Sequence, residues 1–284
     1  MDRLKLKYGS EKTFYNALDI ALHKVKFADK ITSMNYLGII PARYGSTRLE
    51  GKPLADIEGK TMIQHVYEQA SKAIDDVYVA TDDIRIEEVV LGFGGKVVMT
   101  STSHTTGTNR CLEAFEKVNA RSDKKFDVVI NVQGDEPLLV PEQLGELMAC
   151  FEDSRTEMAT LITPVIRMDD LFNESEVFVV FNKDKFALYF SREVIPHIHG
   201  MHKTKWLDNN TYHKHLGLYG YTAEALSRFA KLPQTNLELT ESLEQNRWIE
   251  NGGNIKLAVT QYDSIPVDTI DDLERVRKIV RDRG

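Results

Sequence analysis

Residues 41–53 carry the densest set of groups in the chain that could bind phosphate. The segment reads PARYGSTRLEGKP and holds two glycines, two arginines, a lysine and neighbouring hydroxyls. Backbone N–H groups of such a loop bind phosphate oxygens, and Arg and Lys neutralise the remaining charge. A Walker A loop is excluded, because five residues separate Gly45 from Gly51 and Pro53 replaces the required hydroxyl. Taken alone, the segment fits a solvated, charged turn equally well.

The elements that must position this loop alternate along the first half of the chain. Continuous apolar strands separated by helices predict a parallel sheet covered on both faces. In such sheets ligands bind beyond the carboxyl ends of the strands, here at 41–53, 81–83, 100–108 and 133–137. The predicted strands are Tyr36–Ile40, Asp76–Ala80, Lys96–Met99 and Asp127–Val132, and the helices are Met62–Lys72, Asp83–Leu91 and Gly107–Val118.

After about residue 156 the strand-like runs lie closer together, which predicts a mixed extension of the sheet. Residues 10–30 have apolar side chains at helical spacing and predict an amphipathic helix ahead of the main fold. We interpret the chain as one α/β domain with two lobes. The later strands are Met158–Val165, Glu176–Phe181, Phe186–Phe190, His215–Tyr221 and Ile255–Thr260, with helices at Ala223–Lys231, Leu237–Glu250 and Ile270–Arg281.

Composition excludes several classes of protein. The 36 basic and 43 acidic residues give a net charge of −7, which argues against non-specific nucleic-acid binding. No apolar run approaches the roughly 18 residues that a membrane span needs, and no signal-peptide core follows the basic N-terminus. We therefore expect a cytoplasmic protein without membrane insertion. Cys111 and Cys150 fall in helix-like stretches and are interpreted as small buried apolar residues.

Nine sequence blocks together resemble one enzyme family, the CMP-Kdo synthetases, or 3-deoxy-manno-octulosonate cytidylyltransferases. The likeness runs from Tyr36 to the C-terminus, about seven-eighths of the chain. The blocks are IIPARYGSTRLEGKPL at 39–54, VATDD at 79–83, SHTTGTNR at 103–110, NVQGDEPL at 131–138, MATL at 158–161, ALYFSR at 187–192, KHLGLYGY at 214–221, ESLEQNR at 241–247 and VDT at 267–269.

The resemblance implies a Rossmann-like (GT-A-like) nucleotidyltransferase fold whose mixed sheet extension forms a sugar-binding lobe. The reaction would join CTP to a 2-keto-3-deoxy sugar acid for lipopolysaccharide or capsule precursors, in a homodimer. The implied boundaries are a helical extension at 1–34 and a cytidylyltransferase domain at 35–284. Within that domain we expect a nucleotide lobe at about 35–155, a sugar and dimer lobe at about 156–250, and a C-terminal return at 251–284.

For the nucleotide, the resemblance implies two groups of residues. The triphosphate would be gripped by Arg43, Ser46, Arg48 and Lys52. The rest of the nucleotide pocket would comprise Ala80, Thr81, Asp82, Thr106, Gly107 and Arg110. Thr106 has a second interpretation, because its position also suits the N-cap of the following helix.

Two carboxylates, Asp135 and Asp268, stand where the family holds Mg²⁺, and Glu136 is an alternative ligand. Oxygen ligands suit this hard cation. Asp268 could instead cap the last helix. With Arg48 and Lys52, the two aspartates form the expected catalytic set.

The sugar acid would bind in the second lobe, since it offers a carboxylate for Arg and hydroxyls for neutral polar groups. The chain departs from the family pattern at Glu50, Asn109, Phe178, where the family carries a lysine, and Asn246. Other hypotheses are a cytidylyltransferase for a related acid such as an amino-Kdo or a nonulosonic acid, a sugar-1-phosphate nucleotidyltransferase, and a silent nucleotide-binding scaffold. The implied sugar-binding residues are Gln133, Arg192, His215, Tyr219, Glu244 and Gln245.

Overall fold

A computed structural model describes residues 34–45 and 48–283 of this chain. Within them, nine strands form one sheet and two short strands form a separate hairpin. The strands are β1 (Tyr36–Ala42), β2 (Asp56–Ile57), β3 (Lys60–Thr61), β4 (Asp76–Thr81), β5 (Val97–Met99), β6 (Val128–Asn131), β7 (Met158–Pro164), β8 (Phe178–Phe181), β9 (Ala187–Ser191), β10 (His213–Thr222) and β11 (Ile255–Val259).

The sheet is mostly parallel, with the order β11-β7-β10-β6-β1-β4-β5. Only β10 in this row is antiparallel to its neighbours β6 and β7. The β8–β9 hairpin pairs with β10 and extends the sheet locally. The predicted α/β fold with a mostly parallel sheet and a mixed extension is confirmed, and the same sheet continues through both predicted lobes.

Helices cover both faces of the sheet because alternate strand residues point to opposite sides. On one face Ile40, Val79 and Ile130 pack in a core with the helices that begin at Met62, Ile84 and Pro141. On the other, Ile39 and Val129 pack with the helices that begin at Gly107, Ala223 and Gln245. The helices are α1 (Met62–Ala70), α2 (Ile84–Gly92), α3 (Gly107–Arg121), α4 (Pro141–Ala149), α5 (Met168–Leu171), α6 (Trp206–Asn209), α7 (Ala223–Phe229), α8 (Asn236–Glu241), α9 (Gln245–Glu250) and α10 (Ile270–Arg283).

The single helix predicted at 237–250 is wrong. The structure has α8 and α9, separated at Ser242, whose φ of 53° lies in the left-handed region. The break turns Leu243 inward, where it joins the core, and brings the carboxylate of Glu244 to the hydroxyl of Thr108 at 2.7 Å. Helical periodicity alone does not reveal such a break.

Several elements carried no prediction, among them the short helices α5 and α6. Helix α4 begins at Pro141, a favoured first helical residue, and Gln143 Oε1 accepts from the backbone N of Val140 at 3.2 Å. The β2–β3 hairpin was also missed.

Cys111 and Cys150 are buried, free thiols, as interpreted from the sequence. The helix predicted at 10–30 lies outside the described residues.

Candidate active site

The loop after β1 closes back on itself before it delivers Lys52. Gly51 donates its backbone N–H to the carbonyl of Tyr44 at 3.0 Å and adopts a φ of 65°. A Cβ there would lie 3.1 Å from the Tyr44 ring, so both conformation and space favour glycine. The short 3₁₀ helix Lys52–Leu54 follows immediately. The turn thus fixes where the lysine side chain starts.

Lys52 is the centre of a cluster that joins residues distant in sequence. Its Nζ lies 2.7 Å from Asp135 Oδ2 and 3.1 Å from Asp268 Oδ1. Arg48 Nη2 lies 3.0 Å from Asp268 Oδ1. The backbone N of Val267 donates to the carbonyl of Asp135 at 2.9 Å, which holds the C-terminal return against the loop after β6. All four predicted catalytic residues therefore meet; we call them the carboxylate centre.

Asp268 is not the residue whose side chain caps the last helix. The hydroxyl of Thr269 accepts from the backbone N of Asp272 at 3.2 Å. In return, the Asp272 carboxylate accepts from the backbone N of Thr269 and of Asp268, at 2.9 and 3.2 Å. This reciprocal pair satisfies the start of α10. The carboxylate of Asp268 is consequently left to face the cleft.

The donor set of the carboxylate centre is compatible with Mg²⁺. No group of three or more His, Cys, Asp or Glu that could hold a metal occurs among residues 34–45 and 48–283. Mg²⁺, however, is commonly held by one or two carboxylates together with substrate phosphates. Asp135 and Asp268 already converge on one cation, the ammonium of Lys52. The alternative ligand, Glu136, is buried, and this burial raises its pKa to about 7.

The other nucleotide-side loops are tied together by charged side chains. Arg110 is buried; its Nη2 lies 2.7 Å from Asp82 Oδ2 and its Nη1 donates to Thr100 Oγ1 at 2.6 Å. The guanidinium of Arg85, in the first turn of α2, lies 3.2 Å from the ring centre of Tyr44 and joins this helix to the loop after β1. These contacts fix the loops that follow β1, β4 and β5 relative to one another.

Several predicted nucleotide residues have structural roles of their own. Thr106 caps α3, since its hydroxyl accepts from the backbone N of Asn109 at 3.2 Å. Ala80 and Thr81 are fully buried, and Arg43 is exposed. Ser46 lies outside the described residues. Whether these residues touch a nucleotide stays a prediction.

A cleft of about 1070 Å³ runs from the carboxylate centre to the sugar side of the sheet. Arg48, Asp135 and Asp268 line one part of it, and Gln133, His215 and Tyr219 line another. A volume of this size can enclose more than one substrate, because pockets for single drug-sized ligands span about 300–1,000 Å³. The structure thus places predicted sugar residues on the same cleft as the predicted catalytic set.

A bulge in β10 shapes the side of the cleft that His215 and Tyr219 line. The register of β10 against β7 shifts between Leu216 and Tyr219. Side chains approach the backbone carbonyls there: Thr160 Oγ1 lies 3.1 Å from the oxygen of Leu216 and 2.8 Å from that of Leu218, and Gln133 Nε2 donates to that of Gly217 at 2.9 Å. Bulges next to active sites re-aim side chains. Here His215 and Tyr219 lie on either side of the bulge, and their ring centroids are 5.2 Å apart.

The ring of His215 is neutral. Burial lowers its pKa to about 3, and its Nε2 lies 3.0 Å from the Thr160 hydroxyl. That hydroxyl also lies 2.8 Å from the carbonyl oxygen of Leu218, to which it can give its single proton. The hydrogen-bond network therefore assigns the proton of the ring to Nε2 and leaves Nδ1 as an acceptor. Such a ring can bind a hydroxyl but adds no positive charge.

Beside the cleft lies a smaller cavity of about 200 Å³, which we call the inner cavity. Gln133 and Tyr219 line both spaces. Two further predicted sugar residues, Glu244 and Gln245, line the inner cavity together with Gly107. Burial raises the pKa of Tyr219 well above its ordinary value, with a smaller contribution from the Glu244 carboxylate, so the phenol stays neutral.

Arg192, the predicted partner of the sugar carboxylate, lines neither space. Its side chain is exposed, and its Nε donates to the backbone oxygen of Glu241 at 2.9 Å. Its backbone N donates to Glu241 Oε2, also at 2.9 Å. The structure therefore does not bring Arg192 together with the other predicted sugar residues, and its role stays a prediction.

Several residues at the site were missed from the sequence. Thr160 supports both the bulge and His215, and Thr108 binds Glu244. Lys214, buried on the cleft wall, lies 3.2 Å from both Glu176 and Asp263. Thr160 and Lys214 fall inside the blocks MATL and KHLGLYGY. Their place in these blocks was the feature of the sequence that could have identified them as site residues. No pattern in the sequence pointed to the partners of Lys214.

Comparisons with known proteins identify the family to which this chain is similar. A family model described as cytidylyltransferase matches residues 37–257. The 3-deoxy-manno-octulosonate cytidylyltransferase of Parabacteroides distasonis is 50% identical over 254 residues, covering 88% of this chain and 100% of the relative. An 8-amino-3,8-dideoxy-manno-octulosonate cytidylyltransferase from a Shewanella species is 46% identical over 248 residues, covering 85% of this chain and 97% of the relative.

A solved structure is similar along the same length. It is that of a CMP:2-keto-3-deoxy-manno-octonic acid synthetase complexed with CTP, and it matches with a TM-score of 0.80 at 40% identity. The match covers 88% of this chain and 100% of that one. The chain therefore belongs to the cytidylyltransferase family, among the 3-deoxy-manno-octulosonate cytidylyltransferases.

Proposed function

We propose that this protein joins CTP to 3-deoxy-D-manno-octulosonate (Kdo), giving CMP-Kdo and pyrophosphate. The observation that carries the proposal is the meeting of Arg48, Lys52, Asp135 and Asp268 beside a cleft on which the neutral rings of His215 and Tyr219 also lie. Cationic side chains suit the triphosphate, and the neutral rings suit a polyhydroxylated acid. The match to relatives of this activity along most of the chain supports the same assignment.

In the proposed reaction the C2 hydroxyl oxygen of the sugar forms a bond to the α-phosphorus of CTP. The bond from that phosphorus to the bridging oxygen breaks, and pyrophosphate leaves. Arg48 and Lys52 neutralise phosphate charge, which favours departure of the leaving group. His215 and Tyr219 hold the sugar through neutral hydrogen bonds, since neither ring is ionised near neutral pH. The proton of the attacking hydroxyl passes to solvent water as the bond forms.

Mg²⁺ belongs to the proposal. Asp135 and Asp268 would hold it together with phosphate oxygens, and its chemistry there would be to neutralise charge on the α-phosphate. The convergence of both carboxylates on one ammonium supports this site. Activity measured against added Mg²⁺ and against excess EDTA tests it; full activity in EDTA would refute it.

The test of the reaction is pyrophosphate release with each of the four NTPs and Kdo. We expect turnover with CTP well above that with ATP, GTP or UTP. Equal turnover with all four would refute the choice of CTP. The product should carry Kdo linked to CMP in mass spectra.

A second acceptor is the 8-amino derivative of Kdo. Two observations favour including it: the 46% identity to the Shewanella enzyme, and Asp169 and Asp170 on the cleft wall, whose carboxylates suit an ammonium. Kinetics with both acceptors distinguish the candidates, because the true substrate should have the higher kcat/KM.

A homodimer and a cytoplasmic location are also proposals. Within residues 34–45 and 48–283, none of the helices combines the length and apolar composition that a membrane crossing requires. Leu188 and Leu239, both in the predicted dimer lobe, are more than half exposed, which supports a subunit interface there. Light scattering of the purified protein tests the dimer.

A further inference from the structure

At Asn131, strand β6 carries a polar side chain at a position where its buried, apolar pattern predicts an apolar one. Val129 and Asn131 alternate along β6 and so fall on one face of the sheet, and Gln133 follows in the loop after the strand. Val129 packs in the core with α3 and α7, whereas Gln133 reaches the cleft. Asn131 lies between them; it is only 4% exposed and lines the inner cavity. The apolar row is thus interrupted beside this cavity.

Two amide groups at the inner cavity have no hydrogen-bond partner within the described part of the chain. They are Oδ1 of Asn131 and Nε2 of Gln245, and each residue is 4% exposed. Asn246, next in the chain, shows the contrast: it is fully buried, and its amide binds the backbone N and O of Phe190 at 3.4 and 3.0 Å. Buried polar groups are nearly always paired, so unpaired ones that line a cavity indicate a ligand.

The inner cavity offers neutral donors and acceptors but no cation. None of its lining residues is basic. Its one carboxylate, Glu244, accepts from Thr108 Oγ1 at 2.7 Å and pairs with Arg247 Nη2 at 2.6 Å. A hydroxyl both donates and accepts, which suits Asn131 Oδ1 and Gln245 Nε2. A second carboxylate would be repelled by Glu244.

We propose that Asn131, together with Gln245, hydrogen-bonds hydroxyl groups of the acceptor sugar in the inner cavity, while the acid group of the sugar stays in the larger cleft. This inference rests on the proposed function and adds Asn131 as a specificity-determining residue. The inner cavity has a volume of about 200 Å³. Pockets that enclose a whole ligand have volumes from about 300 Å³, so this cavity suits only part of the sugar.

The experiment measures saturation by Kdo and by CTP separately for the parent, Asn131→Leu and Asn246→Leu. Leucine has nearly the shape of asparagine but forms no hydrogen bond. For Asn131→Leu we expect the KM for Kdo to rise about tenfold, while the KM for CTP changes less than twofold. Its melting temperature should not fall, since an unpaired buried group is removed. Asn246→Leu should instead lower the melting temperature and change both KM values little.

Asn131→Ala provides an independent arm if Asn131→Leu does not fold, since it removes the unpaired acceptor without adding bulk to the inner cavity. It too should raise the KM for Kdo selectively. An unchanged KM for Kdo in whichever of the two variants folds would overturn the inference while leaving the proposed reaction intact. A parent enzyme that releases no pyrophosphate from CTP with Kdo or its 8-amino derivative would overturn both.

Discussion

The charged side chains of the carboxylate centre are partly open to solvent, whereas the two rings that β10 contributes to the cleft, those of His215 and Tyr219, are neutral and mostly buried. Lys52, Asp135 and Asp268 have side chains that are 16%, 29% and 34% exposed, and they are held by each other's charge. His215 and Tyr219 stand on a central strand and are neutral because burial disfavours their charged forms. The carboxylate centre, or charged end, suits the triphosphate of CTP, and the two rings, or neutral end, suit hydroxyls.

This difference has a physical origin. The charged groups come from loops after β1 and β6 and from the C-terminal return, so their positions depend on ion pairs and turns. The neutral groups are fixed by the β10 bulge, where Thr160 and Gln133 bind backbone carbonyls. Substitutions at the charged end should therefore alter turnover and CTP binding, and those at the neutral end should alter sugar binding or stability.

The largest effect is expected from Asp135→Asn. The change removes one carboxylate charge from a centre that must hold Mg²⁺ and neutralise phosphate, so turnover should fall by about 10³-fold or more. The fold should persist, because the amide is isosteric and the site is partly exposed. Pyrophosphate release and thermal unfolding measure the two quantities. Asp56→Asn, at an exposed residue of the β2–β3 hairpin, is the matched control. Unchanged turnover would remove Asp135 from the proposed centre.

Phe178→Lys tests whether the missing family lysine matters at the neutral end. Phe178 is 1% exposed and packs with Trp206 and Tyr212 in a separate core cluster. Burying a lysine there should lower the free energy of unfolding by about 3 kcal/mol. Denaturant unfolding measures the loss, and Phe172→Lys, at a residue 53% exposed, is the control. A variant of unchanged stability that prefers a different acceptor among Kdo, an amino-Kdo and a nonulosonic acid would contradict this assignment.

Lys52→Ala should weaken CTP binding more than Arg48→Ala does. Lys52 contacts two carboxylates and is 16% exposed, whereas Arg48 contacts one and is 65% exposed. A lost charge-assisted contact to phosphate is worth about 1.5–3 kcal/mol, so the KM for CTP should rise about 10- to 150-fold for Lys52→Ala. Separate saturation curves measure this, with Lys60→Ala, which removes an exposed lysine, as the control. An effect confined to the sugar curve would contradict the assignment.

The sequence predicted the charged end better than the neutral end. Apolar strands followed by polar loops placed Asp135 and Lys52 at the same edge of the sheet, because carboxyl ends of parallel strands converge there. The resemblance added Asp268. Spacing alone could not place it beside Asp135, because more than a hundred residues separate the two in the sequence. Their ionic contacts appear only in three dimensions.

The neutral end was harder to predict because its geometry depends on irregular backbone. No periodicity reveals the bulge in β10 or the left-handed Ser242 that splits the predicted helix. Arg192 was placed at the sugar by resemblance, whereas the structure binds it to Glu241 outside both cavities. Phe178 stood out as a substitution, yet only packing reveals that it is a core residue.

The smallest effect concerns the pH dependence of stability at His215. Its folded pKa of about 3 lies below the ordinary value of 6.5, so the unfolded state binds a proton first as the pH falls. This group therefore contributes stability above pH 6.5 that is lost progressively toward pH 3, by about 2 kcal/mol between pH 7.5 and 5. His215→Asn should have lower stability at neutral pH but a shallower loss toward pH 5, measured by denaturant unfolding at several pH values. The same substitution at exposed His199 controls for the loss of one histidine. Equal pH slopes for the parent and His215→Asn would mean that folding does not lower the pKa of the ring, and the ring would then gain its charge as the pH falls through about 6.5.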